Sequence, residues 1–241
     1  MGSVLMVRYL IKFSKDDSIK FIGHLDLMRT IQRMMRRSKL PVEYSKGFNP
    51  HINMSIAQPL SVGVYSCGDY MDVCFEKEVC ENYIKEKLNE SAPAGVKIFK
   101  ANKINDIPNK KTFKSMAEVY AAKYIIKIKY SNSSNVLSNM EELLKEDQWN
   151  TLKKSKRGKV ESNIKKFIKS INYKLKDNVL VIDTVISCGS RENLSAELLG
   201  QYIQERTEGS DKDAFIDIMR EEMYGKLDNK LITLDKLVNV N

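Results

Sequence analysis

The chain has 241 residues, with 40 Lys and Arg against 31 Asp and Glu and a formal net charge of +9. At 42% hydrophobic and 29% charged residues it can bury one large core or two small ones, which excludes general disorder. No apolar run reaches the ~18 residues of a membrane span, and residues 1–12, with Arg8 in the apolar stretch and no small-residue cleavage site, do not read as a secretion signal, so a cytoplasmic protein is expected.

Residues 4–13 alternate apolar and polar side chains, which predicts a strand. Over residues 23–38, Leu27, Met28, Ile31, Met34 and Met35 share one stripe while Arg29, Arg33, Arg36 and Arg37 lie mostly off it. That is an amphipathic helix, ended by Leu40-Pro41. Extended segments follow at 42–44, 52–57 and 70–75, the first two parted by a turn at 47–50, then a helix at 78–89 and a strand at 96–101. The order β-α-β-β-α-β is the ferredoxin-like arrangement.

Residues 104–114, with Pro108, read as a linker, after which the pattern restarts. The spacing predicts a strand over 118–130, a helix over 136–145, a strand over 149–154, the basic turn Lys156-Arg157-Gly158-Lys159 and a short helix over 164–171. Strands at 172–176 and 179–187 pair around Asp177-Asn178, a hairpin turn pair. Helices at 194–203 and 214–224 and a late strand at 231–234 complete the chain. Allowing for one inserted helix, the expected fold is α+β with two tandem ferredoxin-like (βαββαβ) modules, at 1–104 and 118–241, joined by a linker at 105–117.

Charge is unevenly spread. Residues 97–176 hold 20 basic and 7 acidic side chains, against 13 and 11 before them and 7 and 13 after. A segment this basic suits a polyanion, because neutralised phosphates release counterions. Since 31 of the 40 basic residues are Lys, a merely solvated surface stays open as the other reading.

The four cysteines, Cys67, Cys74, Cys80 and Cys188, fit no zinc or iron–sulfur spacing, so reduced thiols and no cluster bound by this chain are expected. Phosphate-loop and dinucleotide fingerprints, the nucleophile elbow and the H-E-x-x-H helix are all missing, which leaves ordinary hydrolase and redox chemistry unsupported. No dedicated metal site is expected from two histidines.

Both histidines sit in residues 21–63, F-I-G-H-L-D-L-M-R followed by P-V-E-Y-S-K-G-F-N-P-H-I-N-M-S-I-A-Q-P-L-S-V-G. Gly47-Phe48-Asn49-Pro50 must turn, since Gly reaches unusual φ and Pro50 keeps Asn49 out of the helical region. Asn49, Pro50 and His51 are the residues packing explains least, so a binding role is expected there. Asp26 serves either a site or the helix N-terminus, His24 either a ligand or a core hydrogen bond, and Phe48 is expected in the core. Arginine in a Lys-rich chain suits phosphate and base edges, which marks Arg33, Arg36, Arg37 and, with them, Lys46 as nucleic-acid contacts; a solvated helix face is the other reading. Lys153, Lys154, Lys156, Arg157 and Lys159 form a basic cluster that could track a phosphate backbone, with a base stacked on Trp149. The Gly189-Ser190-Arg191 turn before a helix either holds an anion with Arg191 or is a plain loop with Asn193 as N-cap.

Residues 21–63, with Gly68-Asp69-Tyr70-Met71-Asp72-Val73, resemble the opening of the radical-SAM-associated (radical-SAM-linked) family of uncharacterised proteins. Its pattern is F-x-S-H-L-D-x-x-R followed by Y-S-x-G-F-N-P-H, and Gly23 departs from it in place of Ser. The resemblance implies a domain fused to or encoded beside a radical SAM protein, which would carry the iron–sulfur cluster and S-adenosylmethionine. Its candidate site is His24, Asp26, Arg29, Tyr44, Ser45, Gly47, Phe48, Asn49, Pro50 and His51. The function expected is a non-catalytic accessory protein that binds ribosomal or transfer RNA and presents it to that enzyme. The alternatives are a metal-independent endoribonuclease using His24 or His51 with Tyr44 or Lys46, and a pure protein–protein adaptor.

Overall fold

The structure is a computed structural model that describes residues 6–105, 112–155 and 158–240, with only the backbone of 153–155 and 159. It is mixed α+β and divides into two units, one of residues 1–120 with 222–241 and one of residues 121–221. Residues 222–241 therefore group with the first unit, where the sequence reading put them in a module spanning 118–241.

The first unit begins with β1 (Val7–Lys15), α1 (His24–Ser38), the short β2 (Met54–Ile56), β3 (Val64–Phe75), α2 (Glu81–Glu90) and β4 (Val96–Ile104). β1 pairs antiparallel with β3 and with β4, and β2 pairs antiparallel with the far side of β3, giving the order β4-β1-β3-β2. Tyr9, Ile11 and Phe13 of β1 and Met71, Val73 and Phe75 of β3 point to one face. Leu27, Ile31, Met34 and Met35, at i, i+4, i+7 and i+8 along α1, close over them with Ile84 and Leu88 of α2. Lys39, in the left-handed region with φ 56°, ends α1 one residue before the expected break. The expected strand at 42–44 is only two isolated bridges, Val42 with Phe75 and Tyr44 with Ile52.

The second unit holds β5 (Ala121–Lys129), α4 (Val136–Lys145), the hairpin of β6 (Asn150–Ser155) and β7 (Gly158–Asn163), β8 (Ile168–Lys176), β9 (Val179–Ser187) and α5 (Ala196–Arg206). A four-residue helix, α3 (Ser115–Glu118), precedes it in the first unit. β5 pairs antiparallel with β9 and β9 with β8. The turn between β8 and β9 has Asp177 at φ 50° and Asn178 at φ 58°, the left-handed pair that a two-residue hairpin needs. Val136, Met140 and Leu143 of α4 and Leu199, Tyr202 and Ile203 of α5 are buried with Ile126 and Ile128 of β5 and Leu180, Ile182 and Ile186 of β9.

β10 (Asp217–Leu227) crosses the division between the units and turns through Asp228-Asn229 into β11 (Lys230–Thr233) and α6 (Leu234–Leu237). Within the second unit, Lys127 bridges Asp217 at 3.0 Å and Lys123 bridges Glu221 at 2.8 Å, so the start of β10 runs antiparallel beside β5. Residues 214–224, expected as a helix, are mostly this strand. Ile218 and Arg220, then Met223 and Gly225, are buried at two-residue spacing, with Glu221 and Glu222 slipping the alternation by one. Residues 164–171 are likewise not a helix: a single 3-10 turn at Lys165–Phe167 leads straight into β8. Between α4 and β8 stands the β6–β7 hairpin, where the sequence predicts a strand, a basic turn and a helix. Among the described residues no helix is long and apolar enough to cross a membrane.

Gly209 sits at φ +74°, and a Cβ there would lie 2.1 Å from the carbonyl oxygen of Asn132. Gly209→Ala is expected to cost about 2 kcal/mol or more, from left-handed strain plus a clash with backbone that cannot swing aside. Thermal unfolding checks it, with a Tm drop of about 4–8 °C expected for a chain this long.

Candidate functional site

The 44–52 segment is a narrow hairpin. Its neck closes where the Ser45 N–H donates to the His51 carbonyl at 2.8 Å and the His51 N–H donates to Ser45 Oγ at 3.1 Å. Ser45 Oγ also lies 2.9 Å from His51 Nδ1, so the hydroxyl and the ring share a hydrogen bond whose donor is set by the imidazole tautomer. Gly47 turns the tip at φ +127°. Beyond the neck, Lys46, Phe48, Asn49 and Pro50 all stand in solvent, with His51 exposed at its edge and Tyr44 at the base.

Phe48 corrects the sequence expectation most sharply. It is expected in the core and is instead fully exposed, on a hairpin tip whose neck is held by the Ser45–His51 hydrogen bonds. A bare phenylalanine between Lys46 and Asn49 has a stacking face with a cation and an amide beside it.

Along α1, Arg29, Arg33, Arg36 and Arg37 are exposed. Asp26 makes no cap: Gly23 is the N-cap and has no side chain, and Asp26 instead bridges Arg29 at 3.2 Å in the open first turn, where its charge suits the helix N-terminus. Arg37 Nη2 donates to the carbonyl of Ser91 at 2.7 Å, which ties the end of α1 to the end of α2. His24 begins α1, and its buried Nδ1 accepts no hydrogen bond from a described residue.

The two histidines lie toward opposite ends of β3. The Gly63 N–H donates to the Lys20 carbonyl at 2.9 Å, which anchors the approach to His24 beside the start of the strand. The Cys74 N–H donates to the Asn53 carbonyl at 2.9 Å, which anchors the hairpin beside its end. β3 spans about 36 Å between those anchors at the usual strand rise, and α1 runs away from His24 toward the hairpin end.

Trp149 is not a stacking platform. It is completely buried, its Nε1 donates to the Leu143 carbonyl at 2.9 Å, and its ring stacks on Tyr202 at 5.4 Å. An indole in a basic stretch suggested a base partner; here it fills the core of the second unit, and α4 and α5 leave it no open face. Lys156 and Arg157, and the side chains of Lys153, Lys154 and Lys159, lie outside the described residues. Arg191 is exposed in the loop before α5, whose N-cap is Ser195 rather than Asn193, its Oγ accepting from the Leu198 N–H at 3.4 Å. None of the four cysteines is joined in a disulfide. Among the described residues no three His, Cys, Asp or Glu side chains gather as a metal site.

One site lies outside those residues. On the face of the first unit turned away from α1, Arg8 stands opposite Cys74 and Leu10 opposite Asp72, with Ser55 of β2 on Asp72's other side. A cavity of about 380 Å³ opens there, lined by Arg8, Asn53, Met54, Ser55, Asp72, Cys74, Lys114 and Met116. Asp72 is 6% exposed, and its Oδ2 accepts from the Ser115 N–H at 3.0 Å and from Ser115 Oγ at 2.8 Å. Its Oδ1 is buried and accepts nothing from the described residues. Arg8 Nη2 lies 3.9 Å from Oδ2, beyond hydrogen-bond length, so the guanidinium is not consumed by the carboxylate. The sequence shows Asp72 only as a charged residue in an apolar strand; Arg8 and Lys114, 64 and 42 positions away from it, carry no pattern that points to it.

Residues 8–196 match the model of a family described as an uncharacterised protein conserved in bacteria, DUF2344. No curated protein sequence matches the chain. Among solved structures, one chain of a Cbf5–Nop10–Gar1 complex is similar over 96% of this chain and 54% of its own length, at 11% identity and a TM-score of 0.47. This chain thus spans about half of that one. An unknown protein from Galdieria sulphuraria is similar over 89% and 98%, at 10% identity and a TM-score of 0.26.

Burial pushes the Asp72 carboxyl up, against the opposing hydrogen bonds from Ser115 and the pull of Arg8 and Lys114. A carboxyl raised on folding stabilises the fold below its unfolded range, about 3.9, and that stabilisation is lost as pH rises through the folded value. Asp72→Asn removes the titration, so its Tm is expected to fall less than that of the natural chain between acid and neutral pH. Calorimetry across that range checks it, each ~1 kcal/mol moving Tm by about 2–4 °C.

Proposed function

This chain belongs to the DUF2344 family, and from that premise and the geometry above we propose that it is a non-catalytic accessory protein that binds RNA and presents it to a radical SAM enzyme. The observation that carries the RNA part is Phe48, fully exposed at the tip of a hairpin whose neck is held by the Ser45–His51 hydrogen bonds. A tip held at its neck, with an unpacked ring flanked by Lys46 and Asn49, suits an unstacked base. Arg33 and Arg36, exposed on α1, would hold backbone phosphate. The motif match at residues 21–63 is what suggests the radical SAM partner, which would supply the iron–sulfur cluster and S-adenosylmethionine, with ribosomal or transfer RNA as the substrate.

Each unit reads as a ferredoxin-like module in this proposal. The first has the strand order β4-β1-β3-β2, all antiparallel, with α1 and α2 on one face. In the second, β5, β9 and β8 with the start of β10 follow the same order once the β6–β7 hairpin is set aside. A nuclease site that joins His24 and His51 gains no support from their anchoring toward opposite ends of β3, and one that uses His51 with Tyr44 or Lys46 is judged by the cleavage test below. A protein–protein adaptor would use the same exposed Phe48, so the two differ in whether RNA is held.

Binding of ribosomal RNA fragments and transfer RNA across a salt series decides between them. Phe48→Ser is expected to weaken binding about tenfold, in line with ~1–3 kcal/mol per stacked base. Reversing Arg33 and Arg36 to Glu is expected to flatten the log–log salt slope by about 2, one for each phosphate lost. RNA affinity untouched by both changes would discard the RNA reading in favour of the adaptor. RNA cleavage in EDTA that His51→Ala abolishes would discard the non-catalytic one.

A further inference from the structure

We propose that the cavity beside Asp72 is a nucleotide site, which takes an amino-bearing base on Asp72 Oδ1 and the phosphate on Arg8 and Lys114. The inference deepens the RNA reading, on which it rests for the source of the nucleotide, but its chemistry comes from the cavity. A buried carboxylate oxygen without a donor is costly, and a ligand N–H is what would complete it. Only one oxygen is available, because Oδ2 is filled by the two hydrogen bonds from Ser115. That geometry fits a single exocyclic amino group, as on adenine, cytosine or guanine; uracil offers only its ring N3–H, set between two carbonyl oxygens that repel the carboxylate.

The remaining lining matches the rest of such a ligand. Met116, exposed at the opening, supplies a polarizable thioether against which a flat ring can lie, while Met54 packs its side chain against the core on the α1 side. Arg8 and Lys114 are cations at the same opening, and Lys114 is exposed at its mouth. A cavity of about 380 Å³ is in the size range of small-ligand sites and large enough for a single nucleotide. The same chemistry could come from a free nucleotide or from one nucleotide of an RNA strand.

The test uses the full chain with methionine methyl groups labelled for NMR, titrated with AMP, CMP, GMP and UMP and then with a single-stranded RNA decamer. The Met116 methyl is expected to shift with AMP, CMP and GMP, and UMP to bind at least about tenfold more weakly. In Asp72→Asn, Ser115 still demands an acceptor, so the new amide oxygen faces Ser115 and its NH₂ faces the cavity. The preference is then expected to reverse toward UMP. Lys114→Glu, on the surface and harmless to folding, is expected to weaken all four monophosphates while leaving adenosine unaffected, which keeps the test decisive should the Asp72 variant not fold.

A decamer that binds more tightly than any monophosphate and moves the same Met116 methyl identifies RNA as the source; monophosphates that the decamer cannot displace identify a free nucleotide. A Met116 methyl that stays still with every probe up to about 5 mM, or UMP binding equal to the others, would overturn the site. Phe48→Ser separates this inference from the RNA reading: loss of decamer binding alone, with monophosphate shifts kept, is a hairpin effect and leaves the cavity intact.

Discussion

β3 is hydrogen-bonded to β1 along one edge and to β2 along the other, and buries nearly every residue from Gly68 to Phe75. A strand covered on both faces has no solvent side on which to put a charge. Met71, Val73 and Phe75 meet this by being apolar toward α1. The opposite face carries Tyr70, Asp72 and Cys74, and each must find a partner from elsewhere in the chain. Tyr70 Oη donates to Glu222 at 2.7 Å, Lys12 bridges the same carboxylate, and Lys100 bridges Asp235 at 2.9 Å. Asp72 is satisfied on one side by Ser115 and on the other opens into a cavity. The cavity is therefore where the polar face of β3 runs out of intramolecular partners.

The hairpin at 44–52 follows the opposite physical logic. Its backbone is committed at the neck, between Ser45 and His51, and its side chains beyond that point touch no core. Fixing the neck in advance removes part of the ordering entropy that a loose loop would lose on binding. A mobile loop would gain little by exposing a phenylalanine; a fixed one holds the ring where a planar partner can meet it. The arginines of α1 share this economy, since the apolar stripe of the helix fixes the backbone from which they extend.

The parts of the fold that could be read from the sequence are those where one face alone is buried. α1 follows from five apolar residues on a stripe, and the β8–β9 hairpin from Asp177-Asn178, whose left-handed backbone few other pairs tolerate. β10 was read as a helix because Glu221 and Glu222 break its alternation, an irregularity of the strand that mimics helical spacing. Residues 164–171 misled in a similar way, since four apolar residues among lysines suit either period over so short a span. For the site, the motif at 44–51 was visible as a turn, but whether Phe48 pointed in or out depends on what lies beneath the tip. Trp149 shows the converse, a ring placed on the surface by its charged neighbours and in the core by α4 and α5. Arg8, Asp72 and Lys114 meet only through strand pairing across the whole first unit, which local spacing does not encode.

The second unit interrupts the first. Residues 121–221 are made after β1 to β4 and before the segment that supplies Glu222, β11 and α6 to the first unit. During synthesis, the interrupting unit has its own sequence in hand while the other still lacks the partners of Lys12, Tyr70 and Lys100. The order of emergence from the ribosome thus runs against the order of the chain: the unit that starts second is complete first. Until residues 222–241 arrive, Asp72 of that face already has Ser115, while Tyr70 waits for its carboxylate partners.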